Sequence, residues 1–286
     1  MKIIISRKGF DSQYGGVPSP VFPDGRIVSL PIPSPAGLPA AMGNADELCL
    51  GDVIDELTNG RLGNKTLIHI DPDLERSTLS RSSGWRSAFG QVGSAQSHLA
   101  NQKVGAGDLF LFFGWFRPVE LHNGRWRYVP NTKSFHSLFG WLRVSQMIRV
   151  EDVRLENLPN WLTDHPHIAH ADRFIGKNNT LYVAGHELGL PCSAAKIAGA
   201  GMFKQWSPSL KLSADGELKS VWNVPTWLEP GPGRPALTYH GSSNRWSRDG
   251  NTLNLATVSK GQEFVLDSTY YPEAIPWVAQ LIQQHA

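Results

Sequence analysis

Three consecutive isoleucines, Ile3 to Ile5, stand between Lys2 and the polar pair Ser6-Arg7, a pattern that predicts a short buried strand. A second apolar run, Lys65 to Ile70, predicts another and ends in Asp71-Pro72-Asp73. A long loop, Lys8 to Pro20, follows the first run, and Gly25 to Pro31 reads as a further strand after the Asp24-Gly25 turn. Residues 45–58 carry an imperfect apolar face of Leu48, Val53, Ile54 and Leu57 behind Asn44 as N-cap, which predicts a helix. Trp85, Phe89, Val92, Ala95 and Leu99 recur at threes and fours and predict a second helix over 84–102. Gly90 and Gly93 inside it each cost about 1 kcal/mol relative to alanine, so something must approach that backbone closely. Gln91, Ser94 and His98 fall on a separate, polar stripe.

From Asp108 onward the pattern changes to short, aromatic-rich strands: Leu109 to Phe116, Arg125 to Val129, Phe139 to Val150, Leu181 to Ala184, Leu218 to Trp222, Thr252 to Val258 and Glu263 to Leu266. Pro272 to His285 predicts a closing amphipathic helix with Ile275, Val278 and Ile282 on one side. The 28 glycines and 20 prolines require many turns, which fits a loop-rich α+β fold better than a helical bundle. The expected architecture is a small N-terminal α/β part, residues 1–105, packed on a larger β-rich part, residues 106–286.

A net charge of +2 gives no basic stripe of the kind a dedicated duplex binder shows. With only Cys49 and Cys192, neither a disulfide framework nor a cysteine zinc site is expected. The apolar start is too short for a signal peptide or membrane span, which predicts a cytoplasmic protein with no membrane partner.

If the two early strands were parallel neighbours joined through the 45–58 helix, their loops would share one carboxyl edge, where open α/β sheets place ligands. Asp11, Asp71 and Asp73 would then converge as acid, base or metal ligands, with Lys8 stabilising anionic charge and Gly15-Gly16 opening backbone N–H groups to substrate. A carboxylate cluster suits Mg²⁺ and phosphoryl transfer, or attack at a glycosidic carbon. The bland reading gives Asp11 a loop hydrogen bond and makes Asp71-Pro72-Asp73 a turn. Asp164-His165-Pro166-His167-Ile168-Ala169-His170-Ala171-Asp172 is dense in imidazole and carboxylate. Pro166 interrupts it and no companion ligand is marked elsewhere, so it reads as a loop of hydrogen-bonded histidines and no metal ligand is assigned. Trp115-Phe116-Arg117, Arg125-Trp126-Arg127-Tyr128 and Arg245-Trp246-Ser247-Arg248 interleave aromatic and guanidinium groups, as a surface for extruded bases would.

Several ordered motifs carry a resemblance. Lys8-Gly9-Phe10-Asp11-Ser12 with Gly15-Gly16, His69-x-Asp71-Pro72-Asp73-Leu74, Phe89-Gly90-Gln91 with Ala95-Gln96-x-His98-Leu99, Gly107 to Arg117, Phe135-His136-x-Leu138-Phe139-Gly140-Trp141 and Gly261-Gln262-Glu263-Phe264-Val265 resemble the nucleotide modification associated domain family, type three. The likeness spans nearly the whole chain, so residues 1–286 form one family-length unit. The middle of the chain is also similar to PUA-like barrels, at Gly107-Asp108, Gly140 and His165-Pro166-His167 before Asn179 to Val183. The resemblance implies partners that are nucleotides or DNA with modified bases, in a DNA-modification or phage-defence setting. It fits an enzyme of group-transfer or glycosidic-bond chemistry. The expected catalytic residues are Asp11, Asp71, Asp73 and His98, with Lys8, Gly15, Gly16, His69, Arg76, Gln91, Gln96, Trp115 and Arg117 contacting substrate. A non-catalytic reader of modified bases and a metal-dependent nuclease are the alternatives. The chain lacks a P-loop, a dinucleotide fingerprint and a zinc-deaminase cysteine pair, which argues against ATP hydrolysis, nicotinamide redox chemistry and zinc deamination.

Overall fold

The computed structural model describes residues 1–45, 48–191, 196–259 and 263–286. In chain order the strands are β1 (Lys2–Arg7), β2 (Ser19–Val21), β3 (Ile32–Pro39), β4 (Asn44–Ala45), β5 (Leu48–Cys49), β6 (Leu67–His69), β7 (Ala88–Gln91) and β8 (Leu109–His122). They continue with β9 (Arg125–Tyr128), β10 (Phe135–Arg149), β11 (Thr180–Ala184), β12 (Ala200–Met202), β13 (Val221–Val224), β14 (Trp246–Asp249), β15 (Thr252–Ala256) and β16 (Glu263–Asp267). The helices are α1 (Leu50–Leu57), α2 (Gly93–Asn101), α3 (Pro166–Ala169) and α4 (Ala274–His285).

Among the described residues the main sheet has nine strands, with the path β16-β1-β8-β10-β11-β7 and with β12, β2 and β9 attached at its sides. β1 runs parallel to β8 and antiparallel to β16. The fold is α+β, as the sequence pattern implies. The sheet stays open and does not close into a PUA-like barrel. Both faces are covered, which is why β1 and β8 read as unbroken apolar runs. Successive side chains point to opposite faces, so Ile3 and Ile5 join one core with Leu111, Phe113, Trp222, Leu255 and Val278. Ile4 joins another, with Phe89, Leu99, Phe110, Phe112 and Tyr182. The first core is roofed by the small sheet β13-β15-β14 and by α4.

Four sequence expectations change. The two early strands are not parallel neighbours. β6 pairs with β3 in a separate two-stranded sheet, while β1 lies between β8 and β16. The helix expected over 45–58 begins at Leu50, because Asn44–Ala45 and Leu48–Cys49 pair as β4 and β5; Asp46 and Glu47 lie outside the described residues. The helix expected over 84–102 is strand β7 followed by α2. Ala88–Gln91 pair in register with Thr180–Val183, and this pairing overrides the helical period. Gly93, with φ of +62°, starts α2 and takes the left-handed conformation suited to glycine. Gly25–Pro31 is irregular apart from a bridge between Val21 and Ile27. Among the described residues, no helix is long and apolar enough to cross a membrane.

Candidate functional site

The ends of β1, β7 and β16 meet under α2, on the sheet face that carries Ile4 and Phe112, although β7 and β16 stand at opposite ends of the strand path. Glu263 opens β16 opposite Ser6 of β1 and is 1% exposed. Its Oε1 accepts from Lys8 Nζ at 2.8 Å and from Gln91 Nε2 at 2.5 Å. Its Oε2 is buried and, among the described residues, has no hydrogen-bond partner, and neither has Ser6 Oγ beside it. Lys8 Nζ also lies 4.5 Å from the centre of the Phe89 ring. A carboxylate withdrawn from water is tolerated where a cation and a donor hold it, and here they hold only one of its oxygens.

The rim of this centre is polar. His98 of α2 places Nε2 3.2 Å from Thr238 Oγ1, and its ring lies against that of Tyr239 with centroids 4.5 Å apart. Burial pushes the His98 imidazole below its ordinary value, against the attraction of Glu263. Burial raises the Tyr239 phenol, and Glu263 raises it further. Tyr239 is 49% exposed and has φ of +69°, left-handed backbone that a bulky side chain rarely adopts. Behind His98, the Tyr182 hydroxyl donates to Gln96 Oε1 at 3.0 Å.

A second polar centre lies on the opposite face of β7. Gly90, one residue from Gln91 and so turned the other way, donates its N–H to Asp71 Oδ1 at 2.8 Å. Three imidazoles surround the same carboxylate: His69 Nε2 at 3.7 Å, His165 Nε2 at 3.6 Å and His167 Nε2 at 3.5 Å. Burial raises the Asp71 carboxyl, but the surrounding imidazoles of His165, His167 and His69 outweigh it and hold the group well below the usual carboxylate range. Gly90 is a steric requirement, since a Cβ there would meet the His167 ring at 2.3–2.6 Å. The close approach implied by this glycine is real, though it is made to a strand.

The three aspartates expected to share a site have different partners. Asp11 Oδ1 accepts from the backbone N–H groups of Gln13 and Tyr14 at 2.8 and 2.7 Å, the turn reading. Among the described residues it shares no hydrogen bond or ion pair with Asp71 or Asp73. Asp73 is paired with Arg81 and lies 3.4 Å from Trp85 Nε1. Burial pushes the Asp73 carboxyl up, to about 7, against the pull of Arg81, and the charge of Asp71 adds to the rise. Asp71 and Asp73 are therefore electrostatic neighbours with different partners.

Other expected contacts are engaged within the protein. The Phe10 ring packs where a Gly15 Cβ would stand, and Arg61 donates to the Gly15 carbonyl and lies 3.2 Å from the Cβ position of Gly16. Arg117 donates to Val129 O at 3.1 Å and to Thr132 Oγ1 at 3.2 Å. Lys219 Nζ covers the Trp115 ring at 3.6 Å, and Trp126 meets Phe22 edge-on at 4.8 Å. Arg76 is exposed on a short 3-10 turn. Lys8, Gln91 and His98 do converge, around Glu263. The sequence reading missed that glutamate, although a charged residue heading the apolar run Phe264-Val265-Leu266 was its signal. It also missed that His69-x-Asp71 is the companion of His165-x-His167.

A cavity of about 420 Å³ adjoins Asp71 and Pro72, with Ser29, Leu74, Phe139 and Phe203 in its walls. Neither the three imidazoles nor Glu263 line it.

The open mixed sheet defines an α+β protein with buried ionisable groups on both sides of one strand. The chain belongs to the nucleotide modification associated domain 3 family, whose model matches residues 2–267. No curated protein and no solved structure matches it.

Proposed function

We propose that the protein is an enzyme that modifies a nucleotide or a DNA base, with Glu263 as the reacting carboxylate. The observation that carries this reading is the asymmetry of that side chain: Oε1 is fixed by Lys8 and Gln91, while Oε2 is buried and has no hydrogen-bond partner among the described residues. A fixed carboxylate with one available oxygen can take a proton from a substrate hydroxyl or amine, or attack a glycosidic carbon. Lys8 sets a positive charge 2.8 Å from the carboxylate and offsets negative charge near it. His98, held below its ordinary value, is neutral near pH 7 and presents a hydrogen-bonding edge at the rim beside Tyr239. The strained backbone at Tyr239 is of the kind that concentrates at ligand sites. The family description supports nucleotide modification as the setting. A DNA-modification or phage-defence pathway is the cellular context we propose with it.

The test is mass spectrometry of nucleosides from DNA carrying modified bases, incubated with the protein and a small-molecule extract that supplies group donors. Wild type is expected to give an altered nucleoside, and folded Glu263→Gln to give about 10²–10⁴-fold less of it. Equal product from the two proteins would refute the assignment. Selective binding of modified DNA with no altered nucleoside would instead make the protein a reader.

A further inference from the structure

The cluster on the far face of β7 has chemistry that Glu263 does not use. We propose that His69 Nε2, an oxygen of Asp71 and His167 Nε2 bind one divalent transition-metal ion, with His165 facing a remaining coordination position.

The argument begins with where each proton must sit. His69 Nδ1 lies 3.1 Å from the carbonyl of Ala36, and His167 Nδ1 lies 2.7 Å from Asn179 Oδ1. Asn179 is oriented independently, because its Nδ2 donates to the His167 carbonyl at 2.9 Å. Both acceptors are carbonyl oxygens, so both imidazoles carry their proton on Nδ1. In its neutral form each ring turns the bare lone pair of Nε2 toward Asp71. Nitrogen and carboxylate-oxygen lone pairs facing one another across 3.5–3.7 Å repel unless a cation lies between them. An imidazole anchored through Nδ1–H to a carbonyl, with Nε2 free, is the usual arrangement of a metal-ligating histidine and its supporting shell.

His165 supplies an independent observation. Its Nδ1 accepts the backbone N–H of His167 at 3.3 Å, so its neutral form carries the proton on Nε2. That nitrogen is buried, has no hydrogen-bond partner among the described residues, and lies 3.6 Å from Asp71 Oδ1. His165 is 3% exposed. It is therefore a donor aimed at the centre, suited to a water or anion on the metal. Three protein ligands and a donor facing a further position resemble a catalytic coordination sphere more than a closed structural one.

Distances and donor types narrow the ion. The three ligand atoms lie within 4.8 Å of one another. Tetrahedral bonds of about 2.0–2.2 Å set ligand atoms about 3.3–3.6 Å apart, close to the 3.7 and 3.5 Å from the two Nε2 atoms to Asp71 Oδ2, so closing the site is chiefly a matter of bringing the two nitrogens together. Two imidazoles and one carboxylate suit zinc, iron or another borderline divalent ion, whereas Mg²⁺ prefers oxygen alone. The ligands come from the end of β6 with the residues just after it and from α3, so one ion would tie together two distant stretches of chain.

The full chain, stripped with chelator, is titrated with Zn²⁺ alone and with Co²⁺ alone. Metal content is read by mass spectrometry and the coordination sphere by Co²⁺ visible absorption. Wild type should bind one equivalent, and His167→Ala and Asp71→Asn should lose it. Asn179→Ala should weaken binding about 10–100-fold through the supporting shell. Glu263→Gln should bind as wild type does, which keeps this inference separate from the proposed function. Wild type that takes up no stoichiometric ion overturns the proposal, whatever the variants do, and the cluster is then a metal-free histidine cage around Asp71. Unaltered binding in a folded Asp71→Asn also overturns it. If His167→Ala fails to fold, the wild-type stoichiometry, the Co²⁺ spectrum and Asn179→Ala decide.

Discussion

Glu263 and Gly90 show how unevenly single residues could be read. Lys8, Gln91 and His98 were identifiable as polar groups at strand ends and on a polar stripe, and all three reach one centre. Glu263 was recognisable only as the first residue of a strand, because its importance depends on Ser6 and Lys8 lying opposite it across a pairing that no local pattern reveals. Gly90 was legible as a close-approach position, but its visitor, the His167 ring, lies 77 positions later by residue number. Gly90→Ala should destabilise the fold by about 1–3 kcal/mol, since the methyl would overlap that ring; urea denaturation checks this, and unchanged stability would show that His167 moves freely. Tyr239→Gly relieves a left-handed backbone and removes a ring from the Glu263 rim. The expected result is stability that does not fall by the amount typical of a lost aromatic, with product formation reduced. A fully active variant would make the Tyr239 geometry incidental to function.

At the scale of elements, β1, β8, β10, β11, β16 and α4 were visible as apolar runs or a clear amphipathic stripe. The failure at 84–102 has a physical cause. Phe89 satisfies both a helical and a strand period, and the choice was made by pairing with β11, which lies far along the chain. The His165–His167 segment was read as an isolated loop because its partners arrive from the end of β6. The β8–β10 hairpin supports a pH prediction. His136 of β10 accepts from Trp222 Nε1 at 3.0 Å, and burial pushes its imidazole down to about 3, with Lys219 and Arg7 adding repulsion. The folded state therefore holds this ring neutral where the unfolded chain, with its ordinary value of 6.5, takes up a proton. Its contribution is complete above pH 6.5 and is lost as pH falls toward 3, by up to about 1.4 kcal/mol per pH unit. Denaturation midpoints between pH 7.5 and 4.5 should fall more steeply for wild type than for a folded His136→Gln. Parallel slopes would remove His136 as the cause.

For the molecule as a whole, the sequence made the α+β mixture legible but not the openness of the sheet or the separation of its two ionisable centres by one strand. Those follow from strand order, which depends on contacts between distant segments. The same strand order bears on how the protein is made. β1 is an inner strand flanked by β8 and β16, and its antiparallel neighbour Glu263–Asp267 is specified more than two hundred codons after it. At ribosomal speeds of about 5–20 residues per second, β1 waits roughly ten seconds or more with one edge bare. Throughout that interval Lys8 has no Glu263 to meet. A ribosome that stalls before β16 leaves a nascent product without Glu263, so this buried centre is completed only late in translation.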